Sequence, residues 1–291
     1  MRDKLKGIFC IIAAAFFFAL MALFVRLSGD LPSIQKSFFR NFVAAIAAAI
    51  LLIRSHPKIQ MDGKSWTALI FRAFLGTVGI LGNFYAVDHL VLADASMLNK
   101  MSPFFAILFS FFLLKERVSL FQAGAVLTAF GGVLLILRPS GTSMELVPAL
   151  MGLFGGAAAG FAYTLVRLLS KWGVQGPFIV FFFSAFSCAV TLPFLIFNFT
   201  PMSSQQLIFL LLAGISAAGG QFSITAAYSF APARELSVYD YSQVLFSALL
   251  GFIVFGQIPD LFSWLGYCII CGAAVAMFLY TKHHSNISAS T

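Results

Sequence analysis

The sequence predicts an all-α integral membrane protein, with ten transmembrane helices in two inverted five-helix repeats. Three observations carry this. Apolar residues make up 60% of the chain and charged ones 10%, against about 25% charged in soluble domains. The apolar stretches recur at the ~20-residue length that crosses a ~30 Å hydrocarbon core. The chain also repeats itself at an offset of about 140 residues. Ala86 meets Ala226, Ala93 meets Ala233, Ser102 meets Ser242, Phe112 meets Phe252, Gly132 meets Gly272, and Lys100 meets Asp240. Val25-Arg26-Leu27 meets Val166-Arg167-Leu168, and Gly79 meets Gly219. An odd number of spans per repeat inserts the second copy upside down, an arrangement that marks secondary transporters with a midplane site between the halves.

The expected spans are 5–25, 33–53, 66–87, 91–114, 118–137, 146–169, 177–197, 205–229, 235–256 and 260–280. The first half is residues 1–141, the second 142–281, and 282–291 is a Ser-rich tail expected to be disordered. Turn residues separate the spans: Pro32, His56-Pro57, Asp62-Gly63, Pro139-Ser140-Gly141, Gly173 to Pro177, Pro201, Pro232 and Pro259. The first segment has the basic start of a signal peptide. Its apolar run is nearly of spanning length and more spans follow at once, so it reads as an uncleaved helix.

Short-loop charges set the orientation. With the N-terminus inside, the cytoplasmic side holds Arg2, Lys4, Lys6, Arg54, Lys58, Lys64, Lys115, Arg117, Arg167, Lys171, Arg234 and Lys282, and the outside holds Arg26 and Arg138. Both termini are then cytoplasmic in a multi-pass cell-membrane protein. The net charge of +8 is a topology signal; a nucleic-acid partner would need those charges on one soluble face.

Cys10, Cys188, Cys268 and Cys271 fall within spans and read as small packing residues. The four histidines lie at loops or in the tail, so no metal constellation forms, and the glycines lie inside apolar helices and make no nucleotide-binding loop. No cofactor is expected. Gly152, Gly156 and Gly160 instead make successive G-x-x-x-G steps on the sixth span, and Arg72, Gly76, Gly79 and Asn83 share a face of the third. Such stripes permit close helix packing; they are also expected to border a central cavity.

Charges inside spans are the most informative residues. Each mid-span charge costs about 2.5–3.5 kcal/mol by insertion scales, and persists where it meets a wet cavity or a partner. They are Lys36 and Arg40 in the second span, Arg72 in the third, Lys100 in the fourth and Asp240 in the ninth. Lys36 is near enough to an end to snorkel, and Arg72 near enough to the cytoplasmic interface to serve as an anchor there. Lys100 and Asp240 are either cavity groups or an ion pair, since the repeat puts them at equivalent depth. Pro103 is expected to kink the fourth span; its twin is Gln243, so no kink is expected in the ninth. The expected substrate-binding residues are Arg40, Arg72, Asn83, Lys100, Tyr163, Gln221, Tyr239, Asp240 and Gln243, with Tyr228 and Tyr241 as further aromatic candidates.

The stretch Asn83-Phe-Tyr-Ala-Val-Asp-His-Leu-Val-Leu-Ala-Asp-Ala-Ser, with Pro103, Lys115-Glu116-Arg117, Gly124 and Gly131-Gly132, resembles the EamA family of the drug/metabolite transporter superfamily. The resemblance covers essentially the whole chain. Arg40 in Phe38-Phe39-Arg40-Asn41 matches that family's second-helix arginine, and Glu116 its acidic residue after the fourth helix. Gly256 departs from the glutamate that often follows the ninth. The resemblance implies movement of small metabolites such as amino acids, nucleosides or cofactors. The excess of intramembrane cations adds an expectation of anionic or zwitterionic solutes. The expected partners are thus a small-molecule substrate and the lipid bilayer, the chain acting as a monomer or homodimer. A lipid-like substrate is the alternative. An enzyme would need paired carboxylates, a His cluster or an activated nucleophile at one depth, and the sequence offers none.

Overall fold

A computed structural model describes residues 2–55, 61–114, 119–137, 146–230 and 239–290. They form α1 (Arg2–Leu27), α2 (Ser33–Ser55), α3 (Gly63–His89), α4 (Leu92–Asn99), α5 (Ser102–Leu114), α6 (Leu120–Leu137), α7 (Leu146–Lys171), α8 (Gly176–Asn198), α9 (Ser204–Phe230), α10 (Ser242–Phe255) and α11 (Leu261–Ser290). No strand occurs among the described residues. Helices α1, α2, α3, α7, α8, α9 and α11 are each long and apolar enough to cross a membrane, and α6 and α10 are shorter apolar helices. The fourth expected span is divided into α4 and α5. The expected loops at Lys58, Lys115 to Arg117, Pro139 to Ser143 and Pro232 to Arg234 lie outside the described residues.

Local chemistry sets the ends. Asp62 caps α3 by accepting from the Ser65 amide at 2.9 Å, and the hydrogen bonds from Ser65 hold its carboxyl below the usual range. Ser119 with Gln122, and Ser203 with Gln206, form reciprocal capping boxes at the starts of α6 and α9. Helix α10 stops at Gly256, whose φ of 63° only glycine adopts cheaply. Helix α11 runs on from Leu261 through Ser290.

The halves interlock. Helix α1 packs along α9 and α10 of the other half; its twin, α7, packs along α3, α4 and α5. Helices α2 and α8 pair, as do α6 and α11. This swap is what an inverted repeat generates. Leu120, Leu127, Phe112, Ile196 and Phe197 are exposed on the outer faces, where lipid rather than water meets them. Inside, the α3–α7 backbones approach closely: a Cβ on Gly82 would lie 2.7 Å from the Met151 carbonyl, and one on Gly155 2.9 Å from the Gly79 carbonyl.

Candidate functional site

A small cavity of about 90 Å³ lies between the halves, below the ~300–1,000 Å³ typical of sites that enclose a small molecule. Both halves line it. Helices α2, α3 and the α4–α5 junction bring Arg40, Arg72, Gly76, Gly79, Asn83, Asn99 and Lys100. Helices α7, α8, α9 and α10 bring Tyr163, Phe183, Gln221 and Gln243. The four residues expected to share a face of the third span all line it. Tyr163 is the most open polar lining residue, at 41% exposure.

The α2 positions Gln35, Lys36, Ser37, Arg40 and Asn41 are all buried, a polar strip that a lipid-facing helix would not carry. Lys36 is 0% exposed and does not snorkel; its Nζ meets Asp88 at 2.6 Å. Asp88 sits at the end of α3, and counting acids by depth in the sequence had passed over it. The cation excess is therefore smaller than the sequence count implied, and it rests on Arg40 and Arg72. These are 2% and 5% exposed. Arg40 Nη1 donates to Asn41 Oδ1, and Asn41 Nδ2 donates to Ser187 Oγ at 2.8 Å. Arg40 Nε, Arg72 Nε and Arg72 Nη1 have no hydrogen-bond partner among the described residues. Arg72 instead lies over the ring of Phe183, 3.9 Å from its centroid, with Arg40 at 5.9 Å. The Asn83 Oδ1 is also buried without a partner.

Lys100 and Asp240 form an ion pair at 2.6 Å. The repeat places opposite charges at twin positions, and the fold closes them on each other. They sit where both halves break. Helix α4 ends at Asn99 and α5 resumes at Ser102, where Pro103, lacking an N–H, leaves the Asn99 carbonyl without its helical donor. The expectation that the ninth span carries no break is corrected. Its helical hydrogen bonding is interrupted at Tyr241, and the Val244 amide turns to the Tyr241 carbonyl at 3.0 Å, although Gln243 occupies the proline position. The Tyr241 hydroxyl donates to the Lys100 carbonyl at 3.1 Å, and Ser96 meets Ser247 at 2.7 Å. The two breaks are therefore joined across the pseudo-twofold axis. Asp240 serves Lys100 instead of lining the cavity. Tyr239 also departs from expectation: it packs against the apolar core. The Tyr228 side chain lies outside the described residues.

The glycine stripe of α7 packs on the α4–α5 break. A Cβ on Gly156 would lie 2.6 Å from the Leu98 carbonyl, and one on Gly160 2.5 Å from the Ser102 carbonyl. Sequence reasoning missed Phe183 and Asn99. Phe183 is hidden in a run of three phenylalanines; Asn99 adjoins the one lysine of the fourth span, a neighbour to a deep charge that deserved inclusion.

A family model described as the EamA-like transporter family matches residues 5–138 and 147–279. The pseudopaline exporter CntI of Pseudomonas aeruginosa is 31% identical over 94% of this chain and 97% of its own. The riboflavin transporter of Vibrio cholerae is 29% identical over 92% and 91%, and human solute carrier family 35 member G1 is 27% identical over 92% and 79%. A solved crystal structure at 17% identity shares the fold, with a TM-score of 0.69 over 95% of this chain and 98% of that one. The chain belongs to the EamA-like transporter family and is a small-solute transporter, not an enzyme.

Proposed function

We propose that this transporter carries a small polar solute bearing a carboxylate or phosphate across the cytoplasmic membrane by alternating access, with Arg40 and Arg72 as the anion-binding pair. The observation that carries the reading is the burial of two guanidiniums beside a cavity without a carboxylate partner among the described residues. Burying an uncompensated charge is expensive, and an anionic ligand supplies the missing partner with bidentate geometry suited to arginine. Relatives that export pseudopaline or transport riboflavin agree with a solute of metabolite size.

Alternation is supported by the asymmetry of the closures. At one end, inter-half hydrogen bonds tie the bundle. Gln35 holds both the amide and the carbonyl of Thr200 at 3.0 and 2.9 Å, Gln206 donates to the Ser28 carbonyl at 3.1 Å, and Gln257 accepts from the Leu92 amide at 3.2 Å. Near the start of α3 an apolar cluster of Leu69, Leu165, Leu169 and Phe178 packs instead. The Lys/Arg asymmetry puts the hydrogen-bonded end outside and both termini in the cytoplasm. In a cysteine-free background, Ser140→Cys labels from outside intact cells and Ser285→Cys does not; the reverse pattern inverts the topology.

The function is tested by thermal stabilisation of the purified protein across amino acids, nucleosides, organic acids and cofactors, followed by proteoliposome flux of the hits. Anionic or zwitterionic solutes stabilise and are transported. Stabilisation by neutral or cationic solutes alone overturns the anion reading.

A further inference from the structure

We infer that Phe183 is a positioning residue that sets the two arginines of the cavity, and that Gly76 is the gap that lets it do so. The inference rests on the reading of Arg40 and Arg72 as the anion-binding pair. Phe183 comes from α8, Arg40 from α2 and Arg72 from α3, so one buried ring of the second half meets both cations of the first. A guanidinium lying over an aromatic face gains from the ring quadrupole, which favours that placement over others. Its edge N–H groups stay available, and the unpartnered atoms on Arg72 are such edge donors, Nε and Nη1. Two like charges near one wall would otherwise repel and turn apart.

The arrangement leaves no room for a side chain on α3 beneath it. A Cβ at position 76 would stand 2.7 Å from Arg72 Nη1 and 2.7 Å from Phe183 Cε2. Alanine there forces ring and guanidinium apart, although alanine is the better helix former. The stack also explains why position 72 takes arginine: an ammonium is a point charge without a planar face or fork. Lysine at 72 keeps the charge and loses the orientation.

The test is residue-specific reactivity. Purified transporter in nanodiscs is treated with phenylglyoxal, an arginine reagent, and modification of Arg40 and Arg72 is followed by peptide mass spectrometry with and without inorganic phosphate. In Phe183→Leu, Phe183→Met and Gly76→Ala, Arg72 reacts several-fold faster than in the parent, and tenfold more phosphate is needed for the same protection. Phe183→Tyr keeps the ring face and restores both readings, and Arg72→Lys loses phosphate protection of Arg40. Unchanged Arg72 reactivity in a folded Phe183→Met or Gly76→Ala protein overturns the inference. A parent in which phosphate protects neither arginine overturns the anion reading instead, and Arg72 reactivity then still decides the role of Phe183.

Discussion

The two halves share a backbone plan and divide the chemistry. Among the described cavity residues, every cation comes from the first half, as Arg40, Arg72 and Lys100, while the second supplies the ring of Phe183, the phenol of Tyr163 and the amides of Gln221 and Gln243. The twin helix crossings differ in the same way. Where α7 meets α3, glycine faces backbone: Gly82 against the Met151 carbonyl, Gly155 against Gly79. Where α1 meets α9, glycine faces rings: Gly219 against Phe17 and Gly220 against Phe18. Both crossings border the cavity, through Gly79 and Phe18, and the one on the arginine-bearing α3 is built from backbone, which resists adjustment. Duplication therefore fixed where helices cross and break, and divergence decided what each half brings to the solute.

The joint between the halves carries the largest expected effect. Asp240→Asn leaves Lys100 buried without its partner, and breaking such a pair costs about 3–5 kcal/mol. The double change Asp240→Asn with Lys100→Met removes both charges and recovers most of that loss. Melting curves of the three variants check this. A single mutant that melts like the parent means the two charges are not coupled. Flux under a pH gradient adds a second reading: a proton-carrying Asp240 predicts loss of pH-driven accumulation with exchange retained.

The next largest effect contrasts the halves directly. Arg72→Ala or Arg40→Ala removes hydrogen bonds to a charged ligand, worth about 1.5–3 kcal/mol each, so affinity for the solute found in the screen falls at least tenfold. Gln221→Ala weakens it by a few-fold. Melting temperature moves the other way, because each arginine variant deletes an uncompensated intramembrane charge that costs about 2.5–3.5 kcal/mol. Titration calorimetry and melting on the same samples decide it; an arginine variant that melts lower and binds normally makes that arginine structural.

The crossings come third. Gly82→Ala puts a methyl against a backbone carbonyl and costs about 1–3 kcal/mol by overpacking. At Gly219 the nearest atoms belong to the Phe17 ring, at 3.1 Å, which can swing. Alanine's helix preference of up to about 1 kcal/mol offsets that contact, and Gly219→Ala is near neutral. Equal destabilisation of the two variants would mean the α1–α9 crossing is as rigid as its twin.

Much of this was legible in the chain. Composition and repeat gave the spans, since both depend on hydropathy alone. Depth and helical phase located Arg40, Arg72, Asn83 and Lys100, because a buried charge in lipid has few options. What escaped depended on contacts between distant segments. Asp88 is an ordinary helix-end acid until Lys36 folds onto it, and nothing in a run of phenylalanines marks Phe183 as the ring under two cations. Tyr239 adjoins Asp240, but adjacent residues on a helix point about 100° apart, and the one turned to Lys100 leaves the other against the apolar core.

The smallest expected effect addresses the break itself. Pro103 looks sufficient to interrupt the fourth span, yet the ninth is interrupted at Tyr241 with Gln243 in the proline position. Proline is thus not required at the twin site, and what the sites share is their meeting across the axis. The Tyr241 hydroxyl holds the Lys100 carbonyl, an acceptor that a continuous helix would give to the Phe104 amide. That amide is already committed to the Met101 carbonyl at 3.0 Å. Pro103→Ala therefore keeps the break, shifts stability by about 1 kcal/mol or less, and retains transport. Tyr241→Phe is the sharper cut, since it strands a buried carbonyl at about 1–3 kcal/mol. Melting curves and flux for the two variants rank the causes. If Pro103→Ala abolishes transport while Tyr241→Phe is silent, the ring of Pro103 makes the break and the resemblance of the twin sites is incidental.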